Sequence, residues 1–378
     1  MELSSEDALC LNVMLAAGVR AVRINESTMT VYGLTDRGEA AVQLHPTGRP
    51  EQYLRLVKET LAEHAMDSPG GYPVHLRRWT RMGQLGDANL MQLLQLGEEE
   101  AVVAVVHAPT LTDEVARYAW WAMPTSDNAR RMLEKETVAQ SEMGRVLAAH
   151  LVEHLPFEEN PYAIIETVRL LLQPGLIDEE MREAIWKKGR HKTAHYIGFL
   201  EQIPDTLPGQ LSPRADWGTI HPKLAQLAAH NRTARLLDRV LSGPGQTFLN
   251  TCLMAMQRPA NQEVVNALLN ALGNYFRREL PREEWALHQP GVDDPSLPAV
   301  PQLSANQMAE LEAARSVLPE LRAELEALCA LATVSSLVVR PMFARTTAVG
   351  ALMRTKLEPA FAPIIEQIAV LRGSGQKA

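Results

Sequence analysis

The stretch from Asn160 to Gly175, NPYAIIETVRLLLQPG, carries a complete helix specification in sixteen residues. The side chain of Asn160 can accept from a backbone amide of the first turn. Pro161 loses nothing at the first helical position, where its absent N–H would have had no partner. Ile164, Ile165, Val168, Leu171 and Leu172 then recur at three-four spacing, and Pro174-Gly175 closes the element. Toward the C-terminus, His221-Pro222 repeats the proline start ahead of Leu224, Leu227 and Ala228. Helices over 231–241, 245–257 and 261–279 follow, punctuated by Gly243-Pro244-Gly245 and Arg258-Pro259. Toward the N-terminus, Thr112 is placed to cap a helix carrying Val115, Tyr118, Ala119 and Ala122, and Met123-Pro124 ends it because a residue before proline avoids the α region.

Helices of this length broken by short proline and glycine signals are what paired-helix arrays produce, each pair burying its apolar face on the next. The fold is therefore expected to be mainly α: a stacked helical-hairpin array over 71–288, HEAT-like or an irregular α-solenoid. No sequence signature repeats, so rhythm alone carries this expectation, and an irregular bundle is the alternative.

Residues 1–70 read differently. A helix over 6–17, stopped by Gly18, gives way to alternating Val22 and Ile24, Met29 and Val31, then Ala40, Val42 and Leu44, with turn-forming residues at Asn25–Thr28 and Thr35–Gly38. Three short antiparallel strands are expected. Pro50 opens a helix with the apolar face Tyr53, Leu54, Val57 and Leu61, ended by Ser68-Pro69-Gly70-Gly71, which completes a small N-terminal α/β unit. At the other end, residues 289–303 hold four prolines and two aspartates without apolar period and read as a linker. C-terminal helices over 304–372 start at a Ser304/Gln307 capping box and include the Leu318, Leu321, Leu325, Leu328 seam. Pro319 can begin a fresh helix there, and the last two helices fit 336–355 and 358–371. A tail at 373–378 is expected to be disordered.

In 378 residues, 46% are hydrophobic, too many for a disordered chain. Thirty-seven Lys and Arg against forty-five Asp and Glu leave a net charge of −8, so nucleic acid and anionic membrane are repelled except at a local basic patch. Cys10, Cys252 and Cys329 lie far apart with no C-x-x-C spacing and read as reduced core thiols. No basic residue opens the chain as in a signal peptide and no apolar run suffices to span a bilayer, so a cytoplasmic location without membrane partners is expected.

The common catalytic signatures are absent: no G-x-G-x-x-G after a strand, no phosphate loop, no G-x-S-x-G and no H-E-x-x-H. That leaves catalysis open but makes a non-enzymatic role the first expectation, with no catalytic residue assigned and neither cofactor nor metal called for. Two segments stand out as anion- or partner-binding candidates. In the first, Trp186, Lys187, Lys188, Arg190, His191, Lys192, His195 and Tyr196 combine a positive field with aromatic rings. If the segment is helical beyond Gly189, the two histidines stand one turn apart, where a metal could be shared, although four cations oppose it. A solvated helix turn is the plain alternative. In the second, Arg77, Arg78, Trp79 and Arg81 could clamp carboxylates, or tie one domain to the next through internal ion pairs. Trp120-Trp121 point about 100° apart on a helix, so at most one can be central to a core.

Three stretches, YPVHLRRWTRMGQ (72–84), YAWWAMPTSDNARRML (118–133) and GLIDEEMREAIWKKGRHKTAHYIGFLEQIPDTL (175–207), resemble the sulfur reduction protein DsrS family. The resemblance implies a cytoplasmic protein encoded with the reverse dissimilatory sulfite reductase system of sulfur-oxidising bacteria, in an accessory or regulatory role. It carries over no active site. The leading expectation is thus a non-catalytic accessory protein that binds other proteins of sulfur oxidation. The alternative is a regulatory RNA, nucleotide or anion binder using residues 187–192, and a third reading is an enzyme or sulfur carrier using one of the cysteines.

Overall fold

The structure is a computed structural model that describes residues 2–66, 87–277, 305–343 and 351–373. Outside these fall the Ser68–Gly71 break, the Arg77, Arg78, Trp79, Arg81 cluster, the 289–303 linker, Ser304 of the capping box and all of the tail beyond Gly373. Among the described residues there are nineteen α-helices and one three-stranded sheet, a mainly helical protein with its strands near the N-terminus. The chain divides into two compact units, Met1–Phe157 with Gln173–Ile177, and Glu158–Leu172 with Asp178–Ala378.

In the first unit, helix α1 (Ser5–Ala16) leads into β1 (Val19–Asn25), β2 (Thr30–Thr35) and β3 (Gly38–Gln43). The sheet is an antiparallel meander in the order β1-β2-β3, with Ile24 opposite Val31 and Val31 opposite Val42. Asp36-Arg37 makes the two-residue link between β2 and β3, and Gly38, at φ +122°, takes a backbone conformation that a side chain would strain. Ala21 and Val22 are consecutive and both buried, so β1 is covered on both faces. The burial of β3 is carried by Val42 alone, as suits an edge. Helix α2 (Pro50–Met66) contributes Tyr53, Leu54, Val57 and Leu61 to a core shared with Leu11, Met14 and Leu15 of α1.

The same unit continues through α3 (Asp87–Leu94), α4 (Glu99–His107), α5 (Asp113–Ala122), α6 (Ser126–Leu133), α7 (Glu136–Ala139) and α8 (Glu142–His154), with α3 and α5 packed on β1. The Thr112 hydroxyl accepts the Val115 amide at 3.4 Å as the cap of α5. Trp120 and Trp121 are both half-buried. Trp120 meets His150 edge-on at 4.8 Å, while Trp121 lies under the Arg23 guanidinium and donates from Nε1 to Glu39 at 2.9 Å. Cys10 departs from its sequence reading. It is exposed, because α1 turns Asp7, Leu11, Met14 and Leu15 inward, and a helix apolar nearly all round does not announce which face that is.

The second unit holds α9 (Pro161–Leu171), α10 (Glu179–Lys188), α11 (Ala194–Gln202), α12 (Trp217–Ala228), α13 (Arg232–Leu241), α14 (Gly243–Met256), α15 (Gln262–Arg277), α16 (Ala305–Val317), α17 (Arg322–Ala332), α18 (Arg340–Phe343) and α19 (Ala351–Leu371). Asn160 caps α9 as its sequence dictates, Oδ1 accepting from Tyr162 at 2.9 Å. Close packing of α9 on α11 depends on Gly198, where a Cβ would stand 2.7 Å from the Val168 side chain and 2.9 Å from the Ile165 carbonyl. Phe248 of α14 stacks on Tyr275 of α15 at 3.8 Å. Leu318, Leu321, Leu325 and Leu328 are all buried, and Pro319 does start a new turn.

One proline signal was overridden. Pro222 sits inside α12 instead of opening it: Trp217 donates from Nε1 to Asp238 at 2.9 Å and His221 meets the same carboxylate at 2.8 Å, which fixes a helical turn before the proline. Gly243-Pro244-Gly245 does mark the break between α13 and α14, Ser242 lying between them, and itself forms the first turn of α14. The expected helix break between 355 and 358 is absent: α19 runs from Ala351 to Leu371 with Pro359 and Pro363 inside it. An interior proline costs roughly 3 kcal/mol. Burying Leu357, Phe361, Ile364 and Ile368 along one face, at about 1.5–3 kcal/mol each, offsets two of them.

Candidate functional site

The basic segment of the second unit begins on α10, whose charges follow its dipole: Asp178 caps the start, accepting from Met181 at 2.8 Å, Glu179 and Glu180 follow, and Lys187 and Lys188 close the last turn. Lys187 also pairs with Glu183 at 3.5 Å. The helix ends before Gly189, a position that has no room for a side chain, since a Cβ there would lie 2.4 Å from the ring of Tyr196. Arg190, His191 and Lys192 then cross an exposed turn, and a separate helix, α11, starts at Ala194.

That break undoes the juxtaposition of His191 and His195. His191 is exposed on the turn, whereas His195 is buried inside α11 with Nδ1 3.1 Å from the Lys192 carbonyl. Because that neighbour is an acceptor, Nδ1 carries the proton of the neutral ring. Burial pushes its pKa down to about 4, against the help of the Lys192 carbonyl and with further lowering by the charges of Lys192 and Lys188. Among the described residues no three of His, Cys, Asp and Glu gather where a metal could be held.

The aromatic members also turn inward. Trp186 is half-buried against Tyr196, 4.5 Å between ring centres, and Phe199, 5.0 Å, and Tyr196 is itself buried. They form a packing cluster in which Tyr196 is buried and Trp186 remains partly exposed. Burial raises the Tyr196 hydroxyl pKa, opposed by the charge and hydrogen bond of Arg190 and by the charge of Arg258.

Beside the turn opens a cleft of about 500 Å³. His191, Lys192, Arg258 and Arg354 border it, Glu159 is its one acid, and Pro161, Ile164, Pro259 and Ala260 give it apolar walls. Two cross-links hold the turn to the Arg258 loop: Thr193 Oγ1 donates to the Arg258 carbonyl at 3.3 Å, and Arg258 Nη1 donates to the Arg190 carbonyl at 3.0 Å. Lys192 Nζ donates to the Glu158 carbonyl at 2.9 Å. Lys192 and Arg258 are thereby held by main-chain oxygens, which orient them without neutralising them. Such a site can hold an anion by charge and exclude a cation by the same field.

Sequence reasoning found Lys192 and His191 but not Arg258 or Arg354. Arg258-Pro259 signals only a helix break, and Arg354 only an exposed helix position; no local pattern joins residues so far apart in the chain. The two buried cysteines offer no thiolate, since burial raises Cys252 well above the usual thiol range and Cys329 to about 11. Among the described residues no helix is long and apolar enough to cross a membrane. No family model, curated protein or solved structure matches the chain.

Proposed function

We propose that this protein is a non-catalytic cytoplasmic accessory or regulatory protein of sulfur oxidation that works by binding an acidic surface of another protein. The observation that carries this reading is the rigid basic cleft beside Lys192 on a chain whose net charge is −8. A local positive field of that kind favours a partner of opposite sign at the cleft, while the acidic remainder of the chain repels other acidic molecules. The pathway is supplied by the DsrS-like stretches at 72–84, 118–133 and 175–207. Pairing of consecutive helices, as of α12 with α13, supports the view of the helices as an irregular α-solenoid presenting this face.

The RNA or nucleotide alternative is weakened by the loss of its stacking rings, since Trp186 and Tyr196 are spent on each other and on Phe199. Affinity capture with the full chain, in lysate of a sulfur-oxidising bacterium, is the test. A discrete protein is expected to co-purify at low salt, to dissociate as salt rises, and to be lost when Lys187, Lys188 and Lys192 are changed together to Glu. Turnover of a sulfite or persulfide by the purified chain, abolished by a single substitution, would refute the proposal.

A further inference from the structure

The cations at the cleft differ in what they touch from five arginines of their unit, although Arg277 is likewise held by main-chain carbonyls. Arg182, Arg214, Arg232, Arg239 and Arg315 each meet a carboxylate. Lys192 and Arg258 meet main-chain carbonyls, and Arg354 is exposed on α19; among the described residues none of the three is in an ion pair. Three permanent positive charges and His191 therefore face one carboxylate, that of Glu159, across the cleft. They come from three separate parts of the fold, the turn before α11, the loop after α14, and α19.

A bare oxyanion would leave most of a cleft of about 500 Å³ unfilled. The apolar walls are Pro161, Ile164, Pro259 and Ala260, and no Phe, Tyr or Trp lines the space, which leaves a nucleobase only the His191 ring and the guanidinium planes to stack on. The complementary ligand alternates carboxylates with an apolar group. We infer that the cleft seats a short acidic peptide segment of the partner protein, with Asp or Glu carboxylates on Lys192, Arg258 and Arg354 and an apolar side chain against Ile164 and the two prolines. This rests on the binding role proposed above and adds the chemistry of what is bound.

Selection of displayed random peptides, about seven residues long and so able to span some 24 Å when extended, on the immobilised full chain tests it. Enriched sequences are expected to carry at least two acids around a Leu, Ile, Val or Met. A fluorescent copy of the best sequence should lose about tenfold or more in affinity on Arg354→Glu, less on Arg354→Gln, and should weaken steeply at roughly 0.5 M salt. Both variants replace an exposed side chain, and an unchanged thermal midpoint confirms that they fold. Enrichment without acids, or an affinity unmoved by Arg354→Glu, would overturn the inference. So would complete displacement of the peptide by millimolar phosphate, which marks a simple anion site, or a single-stranded RNA that binds more tightly and responds to the same variant. If the Lys187, Lys188, Lys192 reversal abolishes partner capture while Arg354→Glu leaves it intact, the accessory role stands and the seating in the cleft fails.

Discussion

Asp7 and His195 show how single ionisable groups fix this protein's response to acid. Burial alone would raise the Asp7 carboxyl, yet its hydrogen bonds from the Tyr53 hydroxyl, from the His45 amide and ring, and from Ser4 outweigh burial and hold it below the usual range. A depressed carboxyl contributes stability above its unfolded pKa, and that contribution disappears as pH falls through the folded value. Asp7→Asn keeps the shape but turns an amide donor toward donors, and should cost about 1–3 kcal/mol at neutral pH in urea unfolding. His195 acts in the same direction by the opposite charge. Its folded pKa of about 4 lies below the ordinary 6.5, so the unfolded chain takes up a proton that the folded one refuses as pH falls between those values. Stability should drop by up to about 3 kcal/mol over that window. His195→Asn, which still offers an N–H to the Lys192 carbonyl, is expected to remove that part of the loss in paired urea titrations at pH 7 and pH 4.5; an identical acid slope in the variant would contradict the assignment. At this scale the sequence was half legible. It marked Lys192 and the basic run, but burial of His195 and the approach of Arg258 and Arg354 are tertiary facts with no local trace.

Helices were the most readable level, where their ends are written in side chains that act on neighbours in the chain. Asn160 and Thr112 cap where their sequence positions say they should, because a cap satisfies an amide two or three residues away. Proline was the weaker guide: at Pro222 an anchor such as the Trp217–Asp238 hydrogen bond outweighed the local cost, and α19 runs through Pro359 and Pro363 on a continuous buried apolar face. At Gly189, just past the end of α10, a ring seven residues on leaves no room for a Cβ, a contact with no local trace in the sequence. The packing of α9 on α11 is expected to be equally unforgiving. Gly198→Ala pushes a methyl into Val168 and the Ile165 carbonyl and should destabilise by about 1–3 kcal/mol. Gly218→Ala in α12, with open space around the new methyl, should be neutral or stabilising by up to about 1 kcal/mol. Denaturant midpoints that move equally for the two would show that the helices do not depend on close approach there.

At the scale of the molecule, the composition already disfavoured nucleic acid and membrane, and the structure shows where an otherwise acidic chain makes its exception. A mainly helical chain with a small sheet could be inferred from periodicity, since burial patterns with periods of two and 3.6 are separable in sequence. The cleft could not, because its charges come together only through the packing of α19 and the α14 loop beside the turn before α11. If attraction at that cleft is how the protein works, the affinity for the captured partner should follow the charge placed there. The most direct measurement is the dissociation constant of that partner for the full chain and for Arg354→Glu at two salt concentrations. Binding weakened about tenfold or more by the reversal, with the gap narrowing at high salt and the thermal midpoint unchanged, is what the account requires; equal affinities at both salts would contradict it.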